Sequence, residues 1–560
     1  MTAAEATNEV EHDFAAIPAT PVDDAQEVQP RRFTRFRLVV AIVAFCGVVC
    51  IAVGAIVFTH KSDQPDAKSI VNNIQQAPGL KVNIKALRSS MQVNGKSEVT
   101  VYIVPRPAQN ASSALEFDAI LTQEDDQVTE QYVLLDNRGY WSVSSGETLL
   151  RSGCLDASQI PPVQLVQTSL EKSRIVSDVV VDGSVVEMGC ESGQLLKLSF
   201  AGETFVFCNS NTNQLSHARG NDLELSVEYL RDPTLVPDIV APSDLNCPLV
   251  QTALPNLETT PTSSKNHLES VAGSAHLEAS SCGCKGPKKP CLFVHGVGTK
   301  TSGPLTNTDK DSWGSIQDHA PCCTTTKFAH MDTVSRGWDD ASLQQEFCNL
   351  ALQVATGNNG KTIGNLILST HSMGNMIAAG ALVNNKCQFS SGVTWVSLAG
   401  PMQGSKSANL LVEKCKSGGW GDLAIKGILN LVGYCPAQPG YLSLLHQSSV
   451  DANRKNQFLA IQSKRAQYVS KVACGTSAVG LITVDSALQI VASLSKHDSA
   501  NDGVVDINSC QAGYGTKGFG TTTSSANYQA ALNHLDMSFR NGDGWFGDDR
   551  KPVKWFECAL

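Results

Sequence analysis

Hydrophobic positions change their spacing several times along this chain. From Leu38 to Phe58 the run LVVAIVAFCGVVCIAVGAIVF carries no charge over 21 residues. At 1.5 Å of rise per residue, about 20 apolar residues in a helix cross the ~30 Å hydrocarbon layer of a bilayer. From about 65 to 248 the spacing drops to two. Apolar and polar residues alternate in Glu98–Pro105, Tyr132–Asn137, Val179–Asp182, Leu195–Ala201 and Leu223–Arg231, with a turn signal at Asp136-Asn137-Arg138-Gly139. That pattern predicts an antiparallel sheet, and Ser69–Gln76 and Pro162–Ser173 are spaced as helices, making this an α+β region rich in strands. Residues 249–289 lose the pattern: Ser, Thr, Pro, Ala and Gly dominate, as in a linker or a long loop tied down by the nearby cysteines. After Pro290, compact apolar strands alternate with helical patterns to residue 560.

The residues flanking the apolar run set its direction. Arg31, Arg32, Arg35 and Arg37 precede it, and only Lys61 and Lys68 lie close behind. The positive-inside rule then predicts residues 1–37 as a cytosolic tail, disordered by composition, and 38–58 as a single-pass type II anchor with everything after it extracellular or lumenal. A cleaved signal peptide, leaving a secreted protein, is the alternative. The 37 residues ahead of the run, and its length beyond the usual ~7–15-residue core of a signal peptide, favour the anchor.

Composition narrows the field further. Net charge is −10 over 560 residues, which argues against nucleic acid as a partner, since phosphate binding needs a basic face. Of 18 cysteines, Cys46 and Cys50 fall in the apolar run, leaving 18 − 2 = 16, an even number suited to disulfides in an oxidising compartment. Asn110-Ala-Ser112 is a glycosylation sequon on the same side.

Candidate chemistry lies after residue 290. Cys291–Val294 is a short strand entering His295-Gly296-Val297-Gly298. Ile363–Thr370 feeds His371-Ser372-Met373-Gly374 and then the helical pattern NMIAAGALV. Strand, tight turn centred on Ser, then helix is the context of a nucleophile elbow. Small residues are needed two before and two after the Ser, and Gly374 fits; Thr370 stands where the first Gly is usual and is expected to crowd the turn. Acyl transfer also needs preorganised N–H donors for the developing oxyanion. The backbone amides of Val297 and Met373 are the candidates. Val393–Gly400 ends in Pro401-Met402-Gln403-Gly404-Ser405, Asn501-Asp502-Gly503-Val504-Val505 follows, and Asn533-His534-Leu535-Asp536 comes last.

With HGVG, THSMG, GPMQGS, NDGVV and NHLD in this order, residues 290–560 resemble a lipase-type α/β-hydrolase, similar to bacterial triacylglycerol lipases. The resemblance implies a mostly parallel sheet flanked by helices, with Ser372 as nucleophile, Asp502 as acid and His534 as general base. It implies hydrolysis of carboxylic esters, often lipid esters, and no cofactor. Some such lipases bind calcium through an Asp two residues after the catalytic His. Asp536 holds that place, but Arg540 stands where a neutral ligand is expected. Asp498, Asp506 and Asp485 compete with Asp502 for the acid, and His497 with His534 for the base.

The remaining candidates have structural readings. His295 and His371 sit at apolar strand ends, where packing or hydrogen bonding beneath the nucleophile outweighs proton transfer. Trp313, Trp338, Asp339 and Asp340 either line an acyl pocket or serve the core. The long excursion 406–465 is expected to cap the site, stitched by Cys415 and Cys435. Two further activities use the same parts: an inactive hydrolase fold kept for binding, and acyl transfer or thioester hydrolysis by the same triad. The β-rich region 65–248 offers no recognisable site and no identified partner.

Overall fold

Alternation in the first half builds an antiparallel sheet of eleven strands. In spatial order these are Thr148–Cys154, Arg138–Ser145, Val128–Leu135, Glu116–Asp125, Glu98–Arg106, Gly79–Ala86, Leu223–Leu230, Leu215–Gly220, Glu203–Ser210, Gly193–Phe200 and Arg174–Val176. At its centre Val82 stands opposite both Val101 and Val227, with Leu80 and Ile84 buried on the same face. The turn between Leu135 and Arg138 works because Asp136 and Asn137 both take positive φ (50° and 58°), the pair of left-handed residues that matches strand twist in a two-residue hairpin. The helix Ala67–Gln75 buries Ile70, Val71 and Ile74, and Asp66 caps it by accepting from the Ser69 amide at 3.1 Å.

The computed structural model describes residues 66–560 apart from 93–94, 107–115, 126–127, 157–158, 161–165, 201, 251–272, 418–434 and 482–486. The apolar run 38–58, the tail before it, the sequon at Asn110 and Asp485 lie outside the described residues. Among the described residues no helix is long and apolar enough to cross a membrane.

The second half forms an eight-stranded sheet in the order Gly303–Thr306, Cys323–His330, Lys289–Val294, Leu366–His371, Val393–Leu398, Val469–Gly475, Asn527–Ala530 and Phe519–Gly520. Only the first pair is antiparallel. The central strands are mostly apolar, and every residue of Leu366–His371 is buried, as expected of strands covered on both faces. On one face lie helices Ala341–Val354, Met373–Val383 and Ala452–Tyr468, in a core with Leu368, Trp395 and Phe458. On the other, Trp313, Phe539 and the helix Pro552–Ala559 pack with Phe293, Val396 and Tyr528.

The excursion 406–465 is not a cap throughout: its residues 418–434 lie outside the described residues, and Ala452–Tyr468 is a layer helix, with Phe458 and Ile461 buried against the helix Met373–Val383. Its polar surface obscures this, since only one narrow stripe is apolar. Likewise 249–289 is not all linker, because Ala275–Leu277 pairs in parallel with Val179–Val181. Its cysteines tie it down through Cys282–Cys558 and Cys284–Cys322. All sixteen cysteines after the apolar run are paired, the others being Cys154–Cys247, Cys190–Cys208, Cys291–Cys323, Cys348–Cys387, Cys415–Cys435 and Cys474–Cys510.

The two sheets belong to one compact unit, joined by a buried seam of charge. Lys551 bonds to Glu203 and, at 2.6 Å, to Asp222, and Lys554 reaches the same Asp222 at 2.9 Å. Arg88 pairs with Glu557 at 2.6 Å and Asp543 at 3.4 Å. Trp545 Nε1 donates to Met91 O at 2.7 Å.

Candidate active site

The strand Leu366–His371 runs into the helix Met373–Val383 with one residue between them. That residue, Ser372, is held at φ 53°, ψ −126°, a conformation that costs a non-glycine residue on the order of 1–3 kcal/mol. Its amide donates to Leu398 O on the next strand at 3.0 Å, and its carbonyl accepts from the amide and side chain of Asn375, both at 3.1 Å. The sharp turn needs space around it. A Cβ on Gly374 would lie 2.8 Å from the carbonyl oxygens of Val294 and His295, and one on Gly296 would lie 2.7 Å from Ser372 Cβ.

Thr370 does not crowd the turn. Its Oγ1 donates to Asn375 Oδ1 at 2.6 Å and accepts from Trp395 Nε1 at 2.8 Å, while Asn375 Nδ2 reaches Thr370 O and Leu398 O. The side chain therefore points away from the bend into a closed polar network. Asn375 and Trp395 escaped the sequence reading, although a polar residue inside the apolar helix MGNMIAAGALV was a usable signal.

Ser372 Oγ lies 2.9 Å from His534 Nε2, and His534 Nδ1 lies 2.8 Å from Asp502 Oδ2. A carboxylate only accepts, so Nδ1 carries the proton and Nε2 is free to accept from the serine hydroxyl. All three residues are buried. Asp502 Oδ1 accepts from the amides of Val504 and Val505 at 3.0 and 2.7 Å, and the His534 amide donates to Asp502 O at 2.8 Å.

The rival acids and base stand elsewhere. Asp498 is exposed and paired with Lys406, and Asp506 pairs with His497 at 2.8 Å. Burial alone would raise the Asp506 carboxyl, but the bond from His497 and the amides of Ser499 and Asp498 hold it below its ordinary value.

His371 and His295 serve the scaffold. His371 Nε2 donates to His534 O at 2.9 Å, its ring 4.7 Å from that of His534. Burial, with His534 and Arg540 nearby, pushes its pKa well below 6.5. His295 Nε2 accepts from the Met331 amide at 3.1 Å, so its proton sits on Nδ1, facing Gly296 O; burial lowers its pKa too. Thr333 Oγ1 donates to Gly296 O at 3.0 Å, steadying the segment that carries Val297 beside Ser372. Among the described residues no acceptor is paired with the amides of Val297 or Met373. Trp313 and Trp338 are core residues, the latter donating to Ser443 O at 2.8 Å. Asp339 pairs with Arg454, and Asp340 caps the helix Ala341–Val354.

Asp536 is buried and hydrogen-bonded through both carboxyl oxygens. Its Oδ1 accepts from Asn541 Nδ2 at 2.7 Å and its Oδ2 from the Leu481 amide at 2.9 Å, and burial raises its pKa. Among the described residues no cluster of three or more His, Cys, Asp or Glu side chains could hold a metal ion.

No family model matches this chain, and no curated protein matches it either. Among solved structures it is similar to the Bacillus licheniformis lipase BlEst2 in propeptide form, at 16% identity over 46% of this chain and 49% of that one (TM-score 0.29). Phospholipase PlaB from Legionella pneumophila aligns at 17% identity over 40% and 45% (TM-score 0.28), and Staphylococcus hyicus lipase at 14% over 49% and 94% (TM-score 0.28). The chain spans about half the length of the first two. Likeness at this level carries no argument about fold or activity, which rest on the side chains themselves.

Proposed function

We propose that the chain is a serine hydrolase of the α/β-hydrolase type that cleaves carboxylic esters, lipid esters among them, and that residues 38–58 anchor it with the catalytic region extracellular or lumenal. The observation that carries the reading is the unbroken hydrogen-bonded path from Ser372 Oγ through His534 to Asp502. A serine hydroxyl is a weak nucleophile until a base takes its proton. As Oγ attacks the ester carbonyl, its proton passes to His534 Nε2, and Asp502 stabilises the imidazolium and keeps the ring oriented. The amides of Val297 and Met373 receive the negative charge on the carbonyl oxygen. His534 then returns the proton to the departing alcohol, leaving an acyl-enzyme. Water, deprotonated by the same imidazole, releases the acid and restores the hydroxyl.

The strained backbone at Ser372 supports the same reading, since strain at a single non-glycine residue persists only where the surroundings enforce it. A fluorophosphonate probe is expected to label the wild-type protein, and Ser372→Ala to abolish the label. Labelling that persists in that variant at another serine overturns the assignment.

A further inference from the structure

Beside this path stands a second Ser, His and carboxylate arrangement that the reaction does not use. His497 Nδ1 lies 2.8 Å from Asp506 Oδ2, and its Nε2 lies 3.3 Å from Ser407 Oγ. The two titratable side chains are 3% and 5% exposed. Geometry argues against Ser407 as a second nucleophile. Its hydroxyl is buried and already faces two other atoms, Gly503 O at 3.1 Å and Ser495 Oγ at 2.9 Å.

Apart from that to Ser495, these contacts converge on one loop, residues 497–506, with Asp502 within it. Asp506 closes the loop from behind: its Oδ1 accepts from the amides of Asp498 and Ser499 at 2.9 and 3.2 Å, while its Oδ2 takes His497. The Ile507 amide donates to Ala500 O at 2.8 Å, completing the closure. From the other side, Ser405 Oγ donates to Val504 O at 2.6 Å and Ser407 Oγ to Gly503 O. The two carbonyls that follow Asp502 are thus each held by a serine at the start of the helix Lys406–Ser417.

We infer that His497, Asp506 and Ser407 are positioning residues for Asp502: they brace the loop that aims its carboxylate at His534 Nδ1. The inference rests on the hydrolase reading above. A carboxylate that drifts from the imidazole leaves the ring free to turn and the imidazolium unsupported, and displacement by about 1 Å costs up to about 100-fold in rate.

The test uses the full chain, with active sites counted by fluorophosphonate titration and turnover measured on a short-chain nitrophenyl ester. His497→Gln and Asp506→Asn are expected to lower kcat about tenfold, with KM within about twofold. They are also expected to weaken the downfield proton NMR signal of the His534 Nδ1–H···Asp502 hydrogen bond, because a loosened carboxylate lets that bond open. Ser407→Ala, which deletes one hydroxyl and keeps the falsifying measurement in hand if the other variants do not fold, is expected to shift both quantities in the same directions by less.

Folded variants with wild-type kcat and an unchanged downfield signal overturn the inference. So does a loss of turnover with the downfield signal intact, which is what a merely structural role produces, or probe attachment at Ser407. Wild-type protein that neither turns over esters nor takes the label overturns the hydrolase reading and this inference with it.

Discussion

His371, directly before the proposed nucleophile, is enclosed on all sides and holds the carbonyl of His534. Burial keeps it neutral in the folded state, where the unfolded chain would protonate it near the ordinary value of 6.5. The unfolded state therefore binds more protons below that value, and stability falls as pH drops through it. His295 adds to the same trend. Between about pH 7 and about pH 5 the wild-type melting temperature is expected to fall, and His371→Gln, which keeps a donor but no titrating ring, is expected to reduce the fall. Thermal melts of the two proteins across that range check this; identical slopes contradict it. At this scale the sequence named Ser372, His534 and Asp502 because each sits in a short motif whose neighbours are contiguous. It misjudged Thr370 because the partners that absorb its hydroxyl, Asn375 and Trp395, come from the following helix and the next strand. No local spacing encodes that contact.

Among the elements, period-two alternation located Glu98–Arg106, Val128–Leu135, Gly193–Phe200 and Leu223–Leu230 in the first sheet, and mostly apolar runs located the central strands of the second. The strands fall within a few residues of their expected limits: Glu98–Pro105 became Glu98–Arg106, and Ile363–Thr370 became Leu366–His371. The helix Ala452–Tyr468 was harder to place. Ten of its seventeen residues are polar or charged, and its packing face rests on a few positions, Phe458 and Ile461 above all. Phe458 stacks on Trp338, ring centroids 5.9 Å apart, so it links this helix to the layer beside the proposed nucleophile. Phe458→Ala is expected to destabilise the fold by about 3–5 kcal/mol, the usual range for emptying a buried aromatic site. Urea unfolding monitored by Trp fluorescence measures it. A loss below about 1 kcal/mol would mean that the helix sits on the surface as an excursion.

Over the whole molecule, the least legible feature is the charged seam. In the sequence Lys551, Lys554, Glu203 and Asp222 look like ordinary solvated charges; folding buries all four and pairs them. Burial alone would lower the Lys551 pKa, yet Glu203 and Asp222 hold it above its usual range. Removing one partner of such a cluster strands the others in a dry interior. Lys551→Met is therefore expected to cost about 3–5 kcal/mol. Lys551→Met combined with Glu203→Gln and Asp222→Asn is expected to recover part of the loss, as measured by chemical unfolding of the single and triple variants. A single variant within about 0.5 kcal/mol of wild type contradicts this account of the seam.

That seam also bears on the order in which the protein is made. Asp222 is paired with Lys551 and Lys554 across separations of 329 and 332 residues, and Arg88 with Glu557 across 469. During synthesis at ~5–20 residues per second, the first sheet is complete long before its counter-ions leave the ribosome. For tens of seconds it must carry Glu203 and Asp222 solvated, with the face destined for Trp545 and Phe546 uncovered. The helix Pro552–Ala559 then acts as a closing clasp: it brings the cations that settle the waiting acids, and its Cys558 takes Cys282 as disulfide partner. A nascent chain cut short before this helix keeps the earlier motifs but lacks the clasp, leaving unpaired acids and bare aromatic surface, features on which a quality-control chaperone can act.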